Sequence, residues 1–421
     1  MFSDAYFPRV NGVGVSVKCF GEALAKMGHK VYVVCPSYDD SKKAVSKKSR
    51  SKKSSSKKNK KEIVIEKTEI KGFSIMRVPS VTTIFSSEDR YVRLTKWKLI
   101  KKEMDKFKPD IIHINAEFAL GILGMIYARR NKVALVYTSH TMWESYIENY
   151  VHCIPSSWSR KIGKELVCFF AKRAQVVISP TERMFKLLSS YGIDRPIEVL
   201  PTGIDDSISK IDEKELASFK KDIYKEFPIL ENKKVLLYVG RVVKEKNLDM
   251  LFDVFSKVKE KIKDSVLFFV GGGPELDNLK EKAKAHPLSS SICFAGYRDR
   301  NILSYFYHLA DVFVFPSCTE TQGLVTIEAM RTSLPVVAIG EMGTLDVMQG
   351  DHGGFMVKND VNEFADRVVD LLSDKKLHSQ KSQEAKDWSA KWSMDYLTPK
   401  LESYYKKAIE AVKKAKTKKR S

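Results

Sequence analysis

"DVFVFPSCTETQGLVTIEAM", residues 311–330, begins as a short apolar run, turns at Gly323 and passes into a helix-like pattern. A continuous apolar strand followed at once by a helix is the repeating unit of a parallel sheet covered on both faces. The stretch also holds two glutamates, Glu320 and Glu328, with seven residues between them. As they stand they read as a catalytic carboxylate pair, a metal site, or two sides of one ligand grip.

Working outward, the same unit recurs. "VLLYVG" (235–240), "VLFFVGGG" (266–273), "ICFAGY" (292–297) and "LPVVAIG" (334–340) are further buried-strand candidates in the second half. The first half offers "KVYVVCP" (30–36), "DIIHIN" (110–115), "ALVYTSH" (134–140) and "AQVVISP" (174–180). Two such series predict an α/β chain of two Rossmann-like, doubly wound domains. At 421 residues the chain is also too long for one ordinary core. "LPTGIDDS" (200–207) breaks the pattern with Pro, Gly and acids, and places the joint there. The expected division is residues 1–203, residues 204–395, and a terminal helix with a basic tail over 396–421.

One interruption stands out inside the first domain. Residues 41–61, "SKKAVSKKSRSKKSSSKKNKK", carry eleven Lys and Arg, no acid and almost nothing apolar. Such a segment has nothing to contribute to a core and is expected to be a disordered insertion.

The net charge of +21 is uneven: residues 1–200 hold 37 Lys and Arg against 19 Asp and Glu, the remainder 36 against 33. A basic first half points to an anionic partner: a membrane surface, a phosphorylated substrate or nucleic acid. Residues 90–108 and 156–173 each place apolar residues among cations, which suits a membrane interface and equally an ordinary surface helix. Nucleic acid has only the Lys/Ser run in its favour, without stacking aromatics or a recognition helix, so no nucleic-acid partner is expected. No apolar run approaches the ~20 residues of a membrane span, and no signal peptide is visible. The six cysteines show no Cys-x-x-Cys spacing, which reads as reduced cytosolic thiols without structural zinc.

Ligands of open parallel sheets bind beyond the carboxyl ends of the strands. Arg241 and Lys246 follow "VLLYVG" there, two cations suited to a diphosphate. "GGGPE" (271–275) is a tight turn after the next strand, expected to expose backbone amides. Glu320 falls in the loop and Glu328 within the helix that starts near Leu324, whose first amides face the same crevice. In the first domain, Gly12 and Gly14 precede a helix and allow backbone to approach an anion. His140 ends a strand on that side. No Asp-x-Asp metal motif sits in a suitable loop, and two cations with a helix terminus make a metal unnecessary for diphosphate stabilisation.

Together, "GRVVKEKN" (240–247), "GGGPE", "FAGY" (294–297) and "PSCTETQGLVTIEAM…LPVVA" resemble the retaining glycosyltransferases of family 4, the "group 1" family with the GT-B fold. The resemblance covers the chain apart from the insertion and tail. "FSDAYFPRVNGVGVSV" (2–17), "TETQGL" (319–324) and "SHTMWESYIENY" (139–150) look most like bacterial diacylglycerol glucosyltransferases. It implies two domains facing a central cleft, with the C-terminal helix crossing back to the first. It further implies that Glu328 holds the ribose, that Glu320 contacts the donor sugar, and that the amides of Gln322, Gly323 and Leu324 help hold sugar and diphosphate. Arg241 and Lys246 would stabilise the leaving diphosphate. Gly12 and Gly14 would approach the donor, and His140 would lie by the sugar and the incoming hydroxyl. The reaction would be metal-independent and cofactor-free, retaining the configuration by front-side attack. The expected substrates are a nucleotide sugar, foremost UDP-glucose, and a lipid acceptor, foremost 1,2-diacylglycerol, at the inner face of the cell membrane. The alternatives are GDP-mannose as donor, and phosphatidylinositol, another glycolipid or a soluble sugar as acceptor. Members of the family carry a full first strand before "FSD", whereas only Met1 and Phe2 precede the serine here. A truncated strand or a true start further upstream is therefore expected.

Overall fold

A computed structural model describes residues 1–9, 11–38, 62–82, 90–141, 143, 156–320 and 322–418. The basic insertion 41–61, most of 139–150, Cys153, Thr321 and the last three residues lie outside the described residues. The chain forms two compact units, one of Met1–Gly203 with Leu397–Ser421, the other Ile204–Tyr396.

The second unit is built on six parallel strands in the spatial order Ile292–Gly296, Ser265–Val270, Lys234–Val239, Val312–Phe315, Val336–Ile339, Gly354–Val357. Counted along the chain this is 3-2-1-4-5-6, the doubly wound order. Ser265–Val270, Val312–Phe315 and Val336–Ile339 are buried at every position, as continuous apolar strands in a sheet covered on both faces must be. Helix Val361–Ser373 buries Phe364, Ala365, Val368, Leu371 and Leu372, a helical spacing that gives one core-facing stripe. Asp360 caps it by accepting from the Glu363 amide at 2.8 Å. The direction of winding reverses between Lys234–Val239 and Val312–Phe315, which are neighbours. That switch is where the ends of both strands leave a crevice for a ligand.

The first unit holds Val64–Lys67, Phe73–Val78 and Val31–Pro36 side by side, then Ile111–Ile114, Ala134–Thr138, Val176–Ser179 and Ile197–Val199. Phe2 bridges the two groups, pairing in parallel with Val34 and Ile114. Its amide donates to the His113 carbonyl and its carbonyl accepts from Asn115, both at 2.8 Å. The pairing of Val64–Lys67 with Phe73–Val78 is antiparallel, so this sheet departs at one edge from the all-parallel expectation. From Leu397 onward, helix Met394–Lys418 belongs to this unit. Leu397, Leu401 and Ala408 are buried, Tyr405 Oη lies 2.7 Å from His113 Nδ1, and Lys407 reaches Glu198 at 2.7 Å.

The two basic helices of this unit differ. In Trp97–Phe107 the apolar stripe packs inward, with Ile100 and Met104 in the core together with Val92, which precedes the helix. In Ser156–Ala171 one face packs inward through Val167, Phe170 and Ala171, while Trp158 is 68% and Ile162 45% exposed.

Candidate functional site

At the switch of the second unit, strand Lys234–Val239 runs into Gly240 and its neighbour Ser265–Val270 into Gly271. The two turns are fused by backbone contact. A Cβ on Gly271 would stand 1.8 Å from the Gly240 carbonyl, and one on Gly273 2.2 Å from that of Val242. Val242 donates to the Gly272 carbonyl at 2.9 Å, and the Gly271 amide is taken by Gly296 at 2.9 Å. The "GGGPE" glycines thus serve close approach of two loops, and the Gly271 amide is not presented to a ligand.

The loop so fixed carries Arg241 and Lys246. Tyr238 Oη donates to the Arg241 carbonyl at 3.0 Å, leaving the Arg241 side chain exposed. Lys246 closes a tight turn ahead of Asn247, which adopts φ 54°. Lys246 Nζ donates to Glu320 Oε1, with the two side chains 14% and 20% exposed. Thr319 Oγ1 also donates to the Glu245 carbonyl at 3.3 Å, so the loops after the two switch strands are tied by side chain and backbone.

Gly323, at φ 59° and ψ 39°, starts helix Leu324–Arg331. A left-handed turn of this kind suits glycine. Gln322 beside it is half-buried. The Glu320 carbonyl accepts from the Gly343 amide at 2.7 Å, holding this loop against the start of helix Met342–Met348. Lys246, Glu320 and the Gly323 turn are therefore gathered at one place. Glu328 is not free beside them. It is 3% exposed, and its two oxygens accept from Arg300 and, at 3.1 Å, from Tyr307 Oη. Arg300 and Tyr307 escape the sequence reading.

In the first unit, Asn11 Oδ1 caps helix Gly12–Lys26 by accepting from the Gly14 amide at 2.7 Å. That amide is occupied, and a Cβ on Gly14 would meet Asn11 Oδ1 at 3.2 Å, whereas Gly12 has open space around it. Of the two glycines, only Gly12 keeps room for a ligand. His140, two residues past strand Ala134–Thr138, places Nε2 3.2 Å from Asn115 Oδ1. Burial pulls its pKa down to about 4, so the ring is neutral at neutral pH and serves as a hydrogen-bonding group. Beside it lies a cavity of about 230 Å³ lined by, among others, Asp4, Asn115, Glu117, Phe118 and Trp143. Burial lifts the carboxyls of Asp4 and Glu117 to about 7 each. Tyr137 Oη donates to Glu117. These acids also escape the sequence reading, each being a single acid within an apolar segment.

A doubly wound second unit with a cation–carboxylate pair and a helix start at its switch point suits the phosphorylated donor of a glycosyltransferase. The family models agree: residues 10–208 match "Glycosyltransferase Family 4" and residues 219–388 match "Glycosyl transferases group 1". The alpha-monoglucosyldiacylglycerol synthase of Streptococcus pneumoniae (strain ATCC BAA-255 / R6) is 30% identical over 343 residues, covering 81% of this chain and 70% of that one. The enzyme of the same name from Acholeplasma laidlawii is 27% identical over 429 residues, covering 97% of both. Among solved structures, Anabaena HepE in complex with UDP and glucose superposes with a TM-score of 0.68 at 17% identity, over 96% of this chain and 97% of that one. The chain belongs to the family 4, group 1 glycosyltransferases and has their GT-B fold.

Proposed function

We propose that this protein is a retaining glucosyltransferase that moves glucose from UDP-glucose to 1,2-diacylglycerol. The observation that carries the reading is likeness to a monoglucosyldiacylglycerol synthase over 97% of both chains. The Lys246–Glu320 pair at the switch point supports it.

In this account Arg241 and Lys246 neutralise the diphosphate, the role that a metal fills elsewhere. The amides of Gln322, Gly323 and Leu324 add donors at the helix start. Glu320 exchanges Lys246 for hydroxyls of the glucose as the cation turns to phosphate. Glu328 takes the ribose hydroxyls once Arg300 yields one of its oxygens. Gly12 leaves room for donor backbone contact on the first unit, and neutral His140 orients a hydroxyl. The acceptor oxygen forms its bond to C1 on the face from which the C1–O bond to the diphosphate breaks. The diphosphate keeps the bonding electrons and takes the acceptor proton, so no protein carboxylate forms a covalent intermediate.

The acceptor lies in a membrane, and the first unit offers a surface for it. Trp158 and Ile162 stand one helical turn apart and exposed, with Arg160 and Lys161 exposed beside them. Arg173 lies 4.0 Å over the Phe169 ring. Aromatic and apolar side chains among cations fit the interface of an anionic bilayer. No helix of the described residues is long and apolar enough to cross a membrane. The reading proposed from these exposed side chains is peripheral attachment, at the inner face.

The test is transfer from labelled UDP-glucose to diacylglycerol in mixed micelles containing anionic lipid. The expected product is an α-glucosyl diacylglycerol. Absence of lipid-soluble product with any nucleotide sugar rejects the reading.

A further inference from the structure

In the second unit, Glu328 sits between two partners of opposite exposure. Its own side chain is 4% exposed. Tyr307, on helix Leu303–Leu309, is buried and donates through Oη to Glu328 Oε2 at 3.1 Å. Arg300, in the turn that leads into that helix, donates through Nη2 to Oε1 and keeps 43% of its side-chain exposure. Tyr307 therefore holds the carboxylate from the core side, and Arg300 covers it from the solvent side. The turn is pinned independently of this contact. Arg298 donates to the Ala295 carbonyl at 3.0 Å and pairs with Glu226. Tyr305 Oη reaches Glu215 at 2.6 Å. Uncovering Glu328 thus asks only the Arg300 side chain to turn, while the backbone that carries it stays in place.

Both oxygens of Glu328 are engaged in the protein without nucleotide. An acidic side chain of a doubly wound sheet holds a ribose by accepting from its hydroxyls. Those hydroxyls are neutral donors, and they arrive from solvent, the side that Arg300 covers. A charged donor to a carboxylate is roughly twice as strong as a neutral one. The ribose therefore exchanges one strong partner of Glu328 for two weaker ones, and the exchange is close to balanced. It also runs backwards readily: once transfer has occurred, Arg300 can retake Oε1 and lift the ribose off.

We infer that Arg300 is a built-in competitor of the nucleotide's ribose for Glu328, which lowers nucleotide affinity and hastens release of the nucleoside diphosphate product. Product release is the slow step in many enzymes, and a competing cation inside the site shortens it. The role in turnover rests on the glucosyltransferase reading, but the competition is measurable on nucleotide alone.

The test uses the full chain with UDP and 2′,3′-dideoxy-UDP, affinities being taken by calorimetry and release rates by stopped flow. The dideoxy nucleotide has the same base and phosphates, so it carries any general effect of removing a cation. Arg300→Gln keeps a neutral donor toward Glu328, and Arg300→Lys keeps the charge, so both should fold. In Arg300→Gln the ratio of UDP affinity to dideoxy-UDP affinity should rise about fivefold, the gap between a charged and a neutral donor. Release of UDP, relative to the dideoxy nucleotide, should slow by a similar factor. Arg300→Lys should stay within about twofold of wild type in both readouts. An affinity ratio that is unchanged or lower in Arg300→Gln would overturn the inference, since Arg300 would then be indifferent to the ribose or support it. If the ratio rises and no glucose reaches a lipid, the competition stands and the glucosyltransferase reading fails. Binding of neither nucleotide by the wild-type protein would overturn both.

Discussion

Replacing Lys246 with alanine should have two separable effects, one on the fold and one on the donor. An exposed ion pair contributes about 0.2–1 kcal/mol, and removing one member of a fully buried pair costs about 3–5 kcal/mol. Lys246 and Glu320 keep 14% and 20% of their side-chain exposure, between these limits and nearer the buried one. Lys246→Ala should therefore cost about 2 kcal/mol, mostly from the carboxylate left without a partner. Glu320→Gln should cost less, because the amide still accepts from Lys246. In a double-mutant cycle followed by denaturant unfolding, the coupling should be about 1–2 kcal/mol. The donor separates the two residues further. Lys246→Ala should weaken UDP binding by roughly 10- to 100-fold, the loss of one charge-assisted contact to phosphate. Glu320→Gln should leave UDP affinity within a few-fold while removing the advantage of UDP-glucose over UDP. A coupling below about 0.3 kcal/mol, within the additivity of independent sites, would refute the pair. UDP affinity indifferent to Lys246 would refute its place on the diphosphate.

Other consequences follow from the glycines, the buried acids and the exposed helix. At Gly323 the space for a Cβ is adequate, with nothing closer than 3.5 Å, so only the φ of 59° is strained. Gly323→Ala should cost about 1–2 kcal/mol, while Gly273→Ala should cost about 3 kcal/mol or more because the loop must shift; equal midpoints in urea would contradict this. Asp4, lifted from 3.8 to about 7 by burial, favours the folded state below pH 4 and loses that contribution as pH rises through 7. His140, lowered to about 4, acts in the opposite sense, losing stability as pH falls below its unfolded value. Comparing Asp4→Asn with wild type isolates the acid: the variant should gain melting temperature relative to wild type between pH 5 and pH 8, and a pH-independent difference would refute the buried carboxyl. Trp158→Ala should weaken sedimentation with anionic vesicles about tenfold, given ~1–2 kcal/mol for a partly inserted aromatic, and unchanged sedimentation would remove that helix from the interface.

The second unit was largely legible because its central strands are buried on both faces and read as unbroken apolar runs. Three of the strands at sheet edges were not. Val64–Lys67 is exposed throughout, Ile197–Val199 is half-buried, and Gly354–Val357 opens with a glycine whose Cβ would strike the Val336 carbonyl at 1.9 Å. None of these has the composition of a core strand. Phe73–Val78 is buried only in part and interrupted by polar residues, with Arg77 donating to Glu66 at 3.1 Å and to the Phe7 carbonyl. At the site, sequence spacing brought Arg241, Lys246, Glu320 and Gly323 to strand ends, where a doubly wound sheet gathers loops. It gave no sign of the partners of Glu328, because Arg300 and Tyr307 reach it through strand order, not through chain proximity. Nor did it mark Asp4 and Glu117, whose chemistry comes from burial. The apolar stripe of Trp97–Phe107 looked as suitable for a membrane as that of Ser156–Ala171. Only packing told them apart, since Ile100 and Met104 are covered by the core while Trp158 and Ile162 are not.

The central claim is transfer of glucose to a glyceride, and the most direct measurement is product formation. Full-length protein, labelled UDP-glucose and diacylglycerol in mixed micelles with anionic lipid should yield a lipid-soluble product whose anomeric proton is α, with UDP released in equal amount. A β product would contradict retention, and no lipid-soluble product from any nucleotide sugar would contradict the account as a whole.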